Sequence, residues 1–112
     1  MRQVDKHLEE KLKDPYFKEL YELEEQKLDI VKRIIDYRIK HNLTQGQLAK
    51  RAGVSQQHIS KIENGEFSNI ATLEKILLFI GFKVRLEVAP LHKRIKEQIL
   101  RARSLKIHPQ MA

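Results

Sequence analysis

The chain has 112 residues, of which 41% are hydrophobic and 33% charged, with a formal net charge of +7. This size predicts one small domain with short additional segments, and the charge favours a polyanionic partner. The absence of cysteine excludes a disulfide framework, a thiolate metal site and a cysteine nucleophile. No apolar stretch is long enough to cross a bilayer and no signal-peptide pattern begins the sequence, so we expect a cytoplasmic protein without membrane contact.

Charge is distributed unevenly along the chain. Residues 1–29 carry six basic and nine acidic side chains, a net charge of −3, whereas residues 30–65 and 90–112 each carry a net charge of +5. Residues 66–89 are neutral overall. Segments of opposite sign favour different partners, although an ordinary solvated helix face explains the acidic segment equally well.

The first part of the chain predicts two helical stretches. Asp14-Pro15 is a typical helix start, because aspartate caps free N–H groups and proline fits the first helical position. A clearer helix covers residues 25–41 and ends at Asn42, which suits a left-handed stop. Its buried stripe is predicted from the i, i+4 spacing of Ile30, Val31, Ile34, Ile35, Arg38 and Ile39.

Three short helices follow, each preceded by a residue whose side chain caps helices. We predict Thr44 before residues 45–52, Ser55 before residues 56–63 and Asn69 before residues 70–80. Glycine ends two of them, at Gly53 and Gly81. The inward positions of the third helix are predicted to be Ile70, Leu73, Ile76, Leu77 and Ile80.

The segment after Gly81 alternates apolar and charged residues, which is the period of a strand with one buried face. The apolar positions are Phe82, Val84, Leu86 and Val88. Nothing else in the chain reads as a strand, so its simplest partner is the same strand of a second copy, antiparallel about a two-fold axis. The alternative is an extended tail packed on its own bundle. After Pro90 a basic amphipathic helix is predicted to about Ser104, followed by loose residues.

Residues 44–65 have the pattern that two short, steeply crossing helices require. Ala49 is small where the second helix passes over the first, and Gly53 accepts the positive φ of the turn. Four apolar residues fix the crossing angle: Leu48, Val54, Ile59 and Ile62. This pattern predicts a helix-turn-helix, whose second helix enters the major groove of DNA.

The second of these helices supports a DNA-facing role. At about 100° per residue its outer side is polar and free of carboxylates, and it is formed by Gln56, Gln57, Ser60, Lys61 and Asn64. Its only acid, Glu63, points inward and needs a cation. Because Arg38 lies on the buried stripe of the preceding helix, we predict a bidentate Arg38–Glu63 ion pair that fixes geometry more than stability.

Residues 30–80 resemble the phage-repressor-like, Xre-type helix-turn-helix domain. The resemblance rests on Thr44-Gln45, Leu48-Ala49, Gly53-Val54-Ser55, Ile59-Ser60 and Ile62-Glu63-Asn64-Gly65. It implies an all-α fold, a compact bundle of four to five helices, here extended by the C-terminal strand paired across a dimer. It also implies base reading by Gln56, Gln57, Ser60 and Lys61, and phosphate contacts from Thr44, Gln45, Asn64 and Ser68. For Gln45 the alternative is an ordinary first-turn helix residue.

A wider region, about residues 14–89, resembles antitoxins of the HigA type. That resemblance implies a repressor of its own operon that binds a palindromic double-stranded DNA operator as a homodimer and neutralises a small basic ribonuclease toxin. The organisation predicted is an acidic, partner-binding segment (1–24), the DNA-binding domain (25–81), the dimerisation strand (82–89) and a basic helix and tail (90–112).

Two other functions stay open: a free-standing regulator without a toxin partner, and a protein-interaction module. Catalysis is not expected, because the five histidines lack metal-ligand spacing and no glycine-rich phosphate loop is present. We expect no metal and no cofactor.

Overall fold

The computed structural model describes the backbone of residues 2–111 and the side chains of residues 6–103. Within that part of the chain every regular element is a helix, so the fold is all-α. The helices are α1 (Arg2–Lys11), α2 (Pro15–Lys40), α3 (Gln45–Ala52), α4 (Gln56–Glu63), α5 (Ile70–Ile80) and α6 (Lys93–Met111). The chain divides into two compact units, one of residues 24–86 and the other of residues up to 23 together with those from 87 onwards.

Helix α2 joins the two helical stretches that the sequence predicts near Pro15 and residue 25. No glycine or proline interrupts residues 16–40, and Asp14 Oδ1 accepts the N–H of Tyr16 at 3.0 Å, which caps the first turn. Asn42 takes the predicted left-handed conformation, with φ of 53°. Helix α6 likewise continues past its predicted end at residue 104, because no glycine or proline interrupts it before position 109.

The unit that contains the chain ends has one buried hydrophobic residue among its described side chains. Ile95 of α6 is buried there. The rings of Phe17 and Tyr21 stack with their centroids 6.3 Å apart, and Lys11 Nζ lies 5.5 Å from the Phe17 centroid. Gln98 Nε2 of α6 donates to Asp14 Oδ1 at 3.4 Å.

The unit of residues 24–86 holds the main core. Its fully buried side chains come from four different helices: Ile34, Leu48, Ile59 and Ile76. Two residues predicted to face inward are exposed, Ile39 at 61% and Ile70 at 54%. Ile39 lies about 140° around α2 from Ile34, and Ile70 is the first residue of α5, before the turns that pack against the core.

The boundaries predicted for α3, α4 and α5 are confirmed, and capping explains them. Thr44 Oγ1 accepts the N–H of Gln47 at 3.1 Å, while the Gln47 side chain accepts the N–H of Thr44 at 2.9 Å, a complete capping box. Ser55 and Asn69 cap their helices through the N–H groups three residues later. Gly53 ends α3 at φ of 76°, where a Cβ would be strained.

The predicted strand is not seen in the single chain, where residues 82–92 have no helix or strand. Val84 packs against the core, and the Phe82 ring lies 5.0 Å from the Arg33 guanidinium carbon. Leu86 and Val88 point into solvent instead of covering a face. A strand requires a hydrogen-bonded neighbouring strand, and no strand is present in the described part of this single chain.

Candidate nucleic-acid interface

Helix α4 is fixed by its apolar side and exposes its polar side. Ile59 and Ile62 are buried in the core that α3 and α5 share. Gln56, Gln57 and Lys61 are exposed, as is Asn64 at the end of the helix, and Ser60 is half-buried. The residues predicted to read bases therefore line the side of α4 opposite the core.

This outer side of α4 carries no negative charge. The helix contains one acid, Glu63, and its side chain is only 7% exposed. Lys61 contributes a positive charge on the exposed side. A surface of amides, one hydroxyl and one ammonium group offers hydrogen bonds to base edges without repelling phosphates.

Glu63 is held by a bidentate ion pair with Arg38, which joins α4 to α2. Arg38 Nε donates to Glu63 Oε2 at 2.9 Å and Nη2 donates to Oε1 at 3.1 Å. A third donor, Arg38 Nη1, lies 3.2 Å from the carbonyl oxygen of Leu43, just before α3. One guanidinium group thus fixes the end of α4 relative to the end of α2 and the entry to α3.

Gln45, which is predicted to contact a phosphate, binds Glu63 in this structure. Its Nε2 donates to Glu63 Oε1 at 3.1 Å, so its amide is part of the ion-pair cluster and is half-buried. The sequence offered one signal for this contact: an inward carboxylate has more acceptor sites than one arginine fills. In the first turn of α3 the N–H of Gln47 is capped by Thr44, and the N–H groups of residues 45 and 46 have no partner within the helix.

The other predicted phosphate-binding residues are exposed at helix ends. Thr44 uses its side-chain oxygen to cap α3. Asn64 and Ser68 lie at the start and near the end of the α4–α5 connection. His58 of α4 is half-buried, and its Nδ1 lies 2.9 Å from Ser55 Oγ.

Two kinds of feature are not found among the residues that the structure describes. Among the described residues, no group of three or more histidine and carboxylate side chains is placed to hold a metal ion. No helix in the described part of the chain combines the length and apolarity needed to span a membrane.

Comparisons with known proteins match the region that contains these helices. A helix-turn-helix family model matches residues 34–85. An uncharacterised HTH-type transcriptional regulator from Methanocaldococcus jannaschii is 49% identical over 49 residues, which is 43% of this chain and 74% of that relative. No solved structure gives a significant match. The chain belongs to the helix-turn-helix family.

Proposed function

We propose that this protein is a sequence-specific DNA-binding transcriptional regulator that places α4 in the major groove. The observation that carries the proposal is the outer side of α4, which is exposed, polar and free of carboxylates while its only acid is held inward by Arg38. The similarity to a protein named as a transcriptional regulator supports the same function.

The residue types on α4 suit base reading. Glutamine makes two hydrogen bonds to adenine and lysine donates to the acceptors of guanine, so Gln56, Gln57 and Lys61 supply both kinds of contact. The N-terminal residues of a recognition helix usually reach the base edges, and Gln56 and Gln57 are the first two residues of α4. Thr44, Asn64 and Ser68 then hold the flanking phosphates.

The first test is DNA binding by the full chain. A duplex from upstream of its own gene, or one enriched from random sequence, should bind with an affinity that falls steeply with salt, with a log–log slope of about −0.9 for each phosphate contacted. Gln57→Ala should lower the affinity for the preferred duplex by about 1–3 kcal/mol and relax the preference at one base position. Fluorescence anisotropy over a salt series, with duplexes changed at single positions, measures both effects.

The matched control is Gln26→Ala, which removes an exposed glutamine from α2 and should leave binding unchanged. A uniform loss over all duplexes for Gln57→Ala would make Gln57 a phosphate contact. Absence of binding to any duplex, or an affinity independent of salt, would contradict the proposal and favour a protein-interaction module.

We infer further that the regulator acts as a homodimer on a palindromic operator. The support is the segment from Phe82 to Val88, in which Leu86 and Val88 are exposed and the backbone has no partner strand in the described chain. Antiparallel pairing with a second copy would cover the exposed apolar side chains and give the backbone a partner strand. A two-fold axis would then present two copies of α4 to half-sites about 34 Å apart.

Charge selects one register for this pairing. In an antiparallel pair of identical strands, the numbers of two opposite residues always add up to the same sum. This sum must be even for the apolar residues of both strands to lie on one face. If the two-fold axis passes through Arg85, the Arg85 side chains of the two copies lie opposite each other (the Arg85-centred register). If it passes through Leu86, Arg85 lies opposite Glu87 of the second copy (the Leu86-centred register). Opposite charges across strands stabilise and like charges destabilise. The Leu86-centred register also pairs Val84 with Val88 of the second copy.

A second candidate function is that of an antitoxin that neutralises a small basic ribonuclease. The observation in its favour is the N-terminal half of α2, where Leu20 and Leu23 are 47% and 48% exposed on an acidic segment. Exposed apolar residues with an acidic surround fit a basic protein partner. The free-standing regulator is the alternative.

The antitoxin proposal predicts binding to a neighbouring gene product. If a short gene for a basic protein of about 100 residues lies beside this one, its product should be toxic alone and should co-purify with this chain. The double substitution Leu20→Asp/Leu23→Asp should abolish co-purification and spare DNA binding, because both side chains are solvent-exposed and outside the unit of residues 24–86. A pull-down assay measures the co-purification, and a growth assay measures the toxicity.

The control is Leu78→Asp, which places the same charge at an exposed leucine on α5 and should leave co-purification intact. A neighbouring product that is harmless, or retained binding by the double variant, would contradict an interface on α2. Absence of such a gene would favour the free-standing regulator.

A further inference from the structure

Gly46 lies inside α3, at a position where the backbone does not require glycine. Gly53, Gly65 and Gly81 have positive φ angles between 76° and 102°, which explains glycine at each of them. Gly46 is the only remaining glycine in the sequence, and its φ is not positive. Glycine within a helix is less stable than alanine, and the backbone conformation gives no reason for glycine at position 46.

The side chain of Gln56 occupies the space beside Gly46. A Cβ on Gly46 would stand 3.1 Å from Gln56 Oε1 and 3.6 Å from its carboxamide carbon. The next nearest atom is Thr44 Oγ1 at 3.9 Å, an ordinary contact. Beyond α3 itself, alanine at position 46 would therefore meet one close neighbour, the tip of a flexible side chain on the recognition helix.

We propose that Gly46 is a specificity-determining position of the DNA interface. By lacking a Cβ it lets the carboxamide of Gln56 lie against the first turn of α3, beside Thr44, and this contact sets the direction in which Gln56 is presented to a base. The inference rests on the proposed function, since the direction of Gln56 matters only if α4 enters a groove.

The physical basis is pre-organisation of a long side chain. A free glutamine samples many rotamers and loses that freedom on binding. A carboxamide already packed against α3 has lost part of that freedom before DNA arrives, which favours one bound arrangement over others. Gln56 is the first residue of α4, so a small change at its tip alters which base edge it meets.

The test is a double-mutant cycle with four full-length proteins: the wild type, Gly46→Ala, Gln56→Ala and the combination. Base preference is read from enrichment of randomised duplexes and from anisotropy on duplexes changed at single positions. We expect Gly46→Ala to change the relative affinity about fivefold or more at the position that Gln56→Ala also affects. In the Gln56→Ala background, Gly46→Ala should have no further effect.

A second readout does not depend on DNA. In the free protein, Gly46→Ala should shift the side-chain amide resonances of Gln56, which the Gln56→Ala spectrum identifies, while thermal stability stays equal or rises. Wild-type amide shifts retained in Gly46→Ala would overturn the contact itself, whatever the protein binds.

The remaining outcomes also decide the inference. An equal loss of affinity from Gly46→Ala with and without Gln56 would show that the glycine serves close approach of a phosphate to α3, and would overturn the proposal. Unchanged base preference in Gly46→Ala, with normal DNA binding, would overturn it too. If all four proteins fail to bind DNA while the amide shift is seen, the proposed function fails and the contact between Gly46 and Gln56 stands.

Discussion

Arg38→Met is expected to lower the free energy of unfolding by about 3 kcal/mol. The substitution keeps much of the aliphatic stem and removes the three donors that bind Glu63 and the Leu43 carbonyl. Glu63 would remain as a carboxylate that is only 7% exposed, with Gln45 as its one remaining partner. A buried charge without its counter-ion is costly, which is the reason for the size of the effect. Urea unfolding followed by circular dichroism measures it.

Two controls separate the ion pair from a general loss of charge. Asp29→Asn removes the exposed Arg33–Asp29 pair, which has a similar distance of 3.0 Å, and should cost less than about 1 kcal/mol. Arg38→Met/Glu63→Leu should recover most of the stability, because no unpaired charge stays in the protein. A loss below about 1 kcal/mol for Arg38→Met alone would show that Glu63 is well solvated and that α4 is fixed by its apolar contacts.

The parts of the fold that the sequence predicts correctly are those decided locally. The bounds of α3, α4 and α5 follow from capping side chains and from glycines at positive φ, which act within three or four residues. The contact between Arg38 and Glu63 joins residues that are far apart in the sequence, but local helix periodicity also predicts it. The periodicity of α2 places Arg38 inward and that of α4 places Glu63 inward, and a buried charge requires a partner.

The features that sequence reasoning missed depend on tertiary packing. Helical spacing predicts that Ile70 faces inward, yet whether the first turn of a helix is covered depends on where the neighbouring helices end. It also predicts that Ile39 faces inward, but Ile39 lies about 140° around α2 from the buried Ile34. The carboxamide of Gln45 contacts Glu63 because α3 and α4 cross there, and no local pattern encodes that crossing distance. The space that Gly46 leaves for Gln56 depends on the same crossing.

The segment after α5 is a different case, because a strand at this position would need a neighbouring strand, which we propose a second copy supplies. Alternation of apolar and charged residues describes a strand only when a neighbour accepts its hydrogen bonds. In the single chain, Val84 packs on the core and Leu86 lies 71% exposed. The sequence pattern and the isolated chain are therefore both compatible with a strand that forms on dimerisation.

Leu86→Asp is expected to abolish the dimer and to lower operator affinity at least about 100-fold, because each copy would then bind its half-site alone. The exposed position of Leu86 means that the folded monomer should keep its stability, with Leu78→Asp as the matched control at an exposed leucine on α5. Sedimentation velocity gives the mass and anisotropy gives the affinity. An unchanged sedimentation mass for Leu86→Asp would exclude this strand as the dimer interface.

Charge exchange tests the register of the same pairing. Arg85→Glu should weaken the dimer, because it faces Glu87 of the second copy in the Leu86-centred register, and adding Glu87→Arg should restore it. In the Arg85-centred register the double variant would place two glutamates opposite each other and Lys83 opposite an arginine, so it would stay dissociated. Restoration of the dimer mass by the second substitution therefore distinguishes the two registers, and operator affinity should recover with it because only a dimer can engage both half-sites at once.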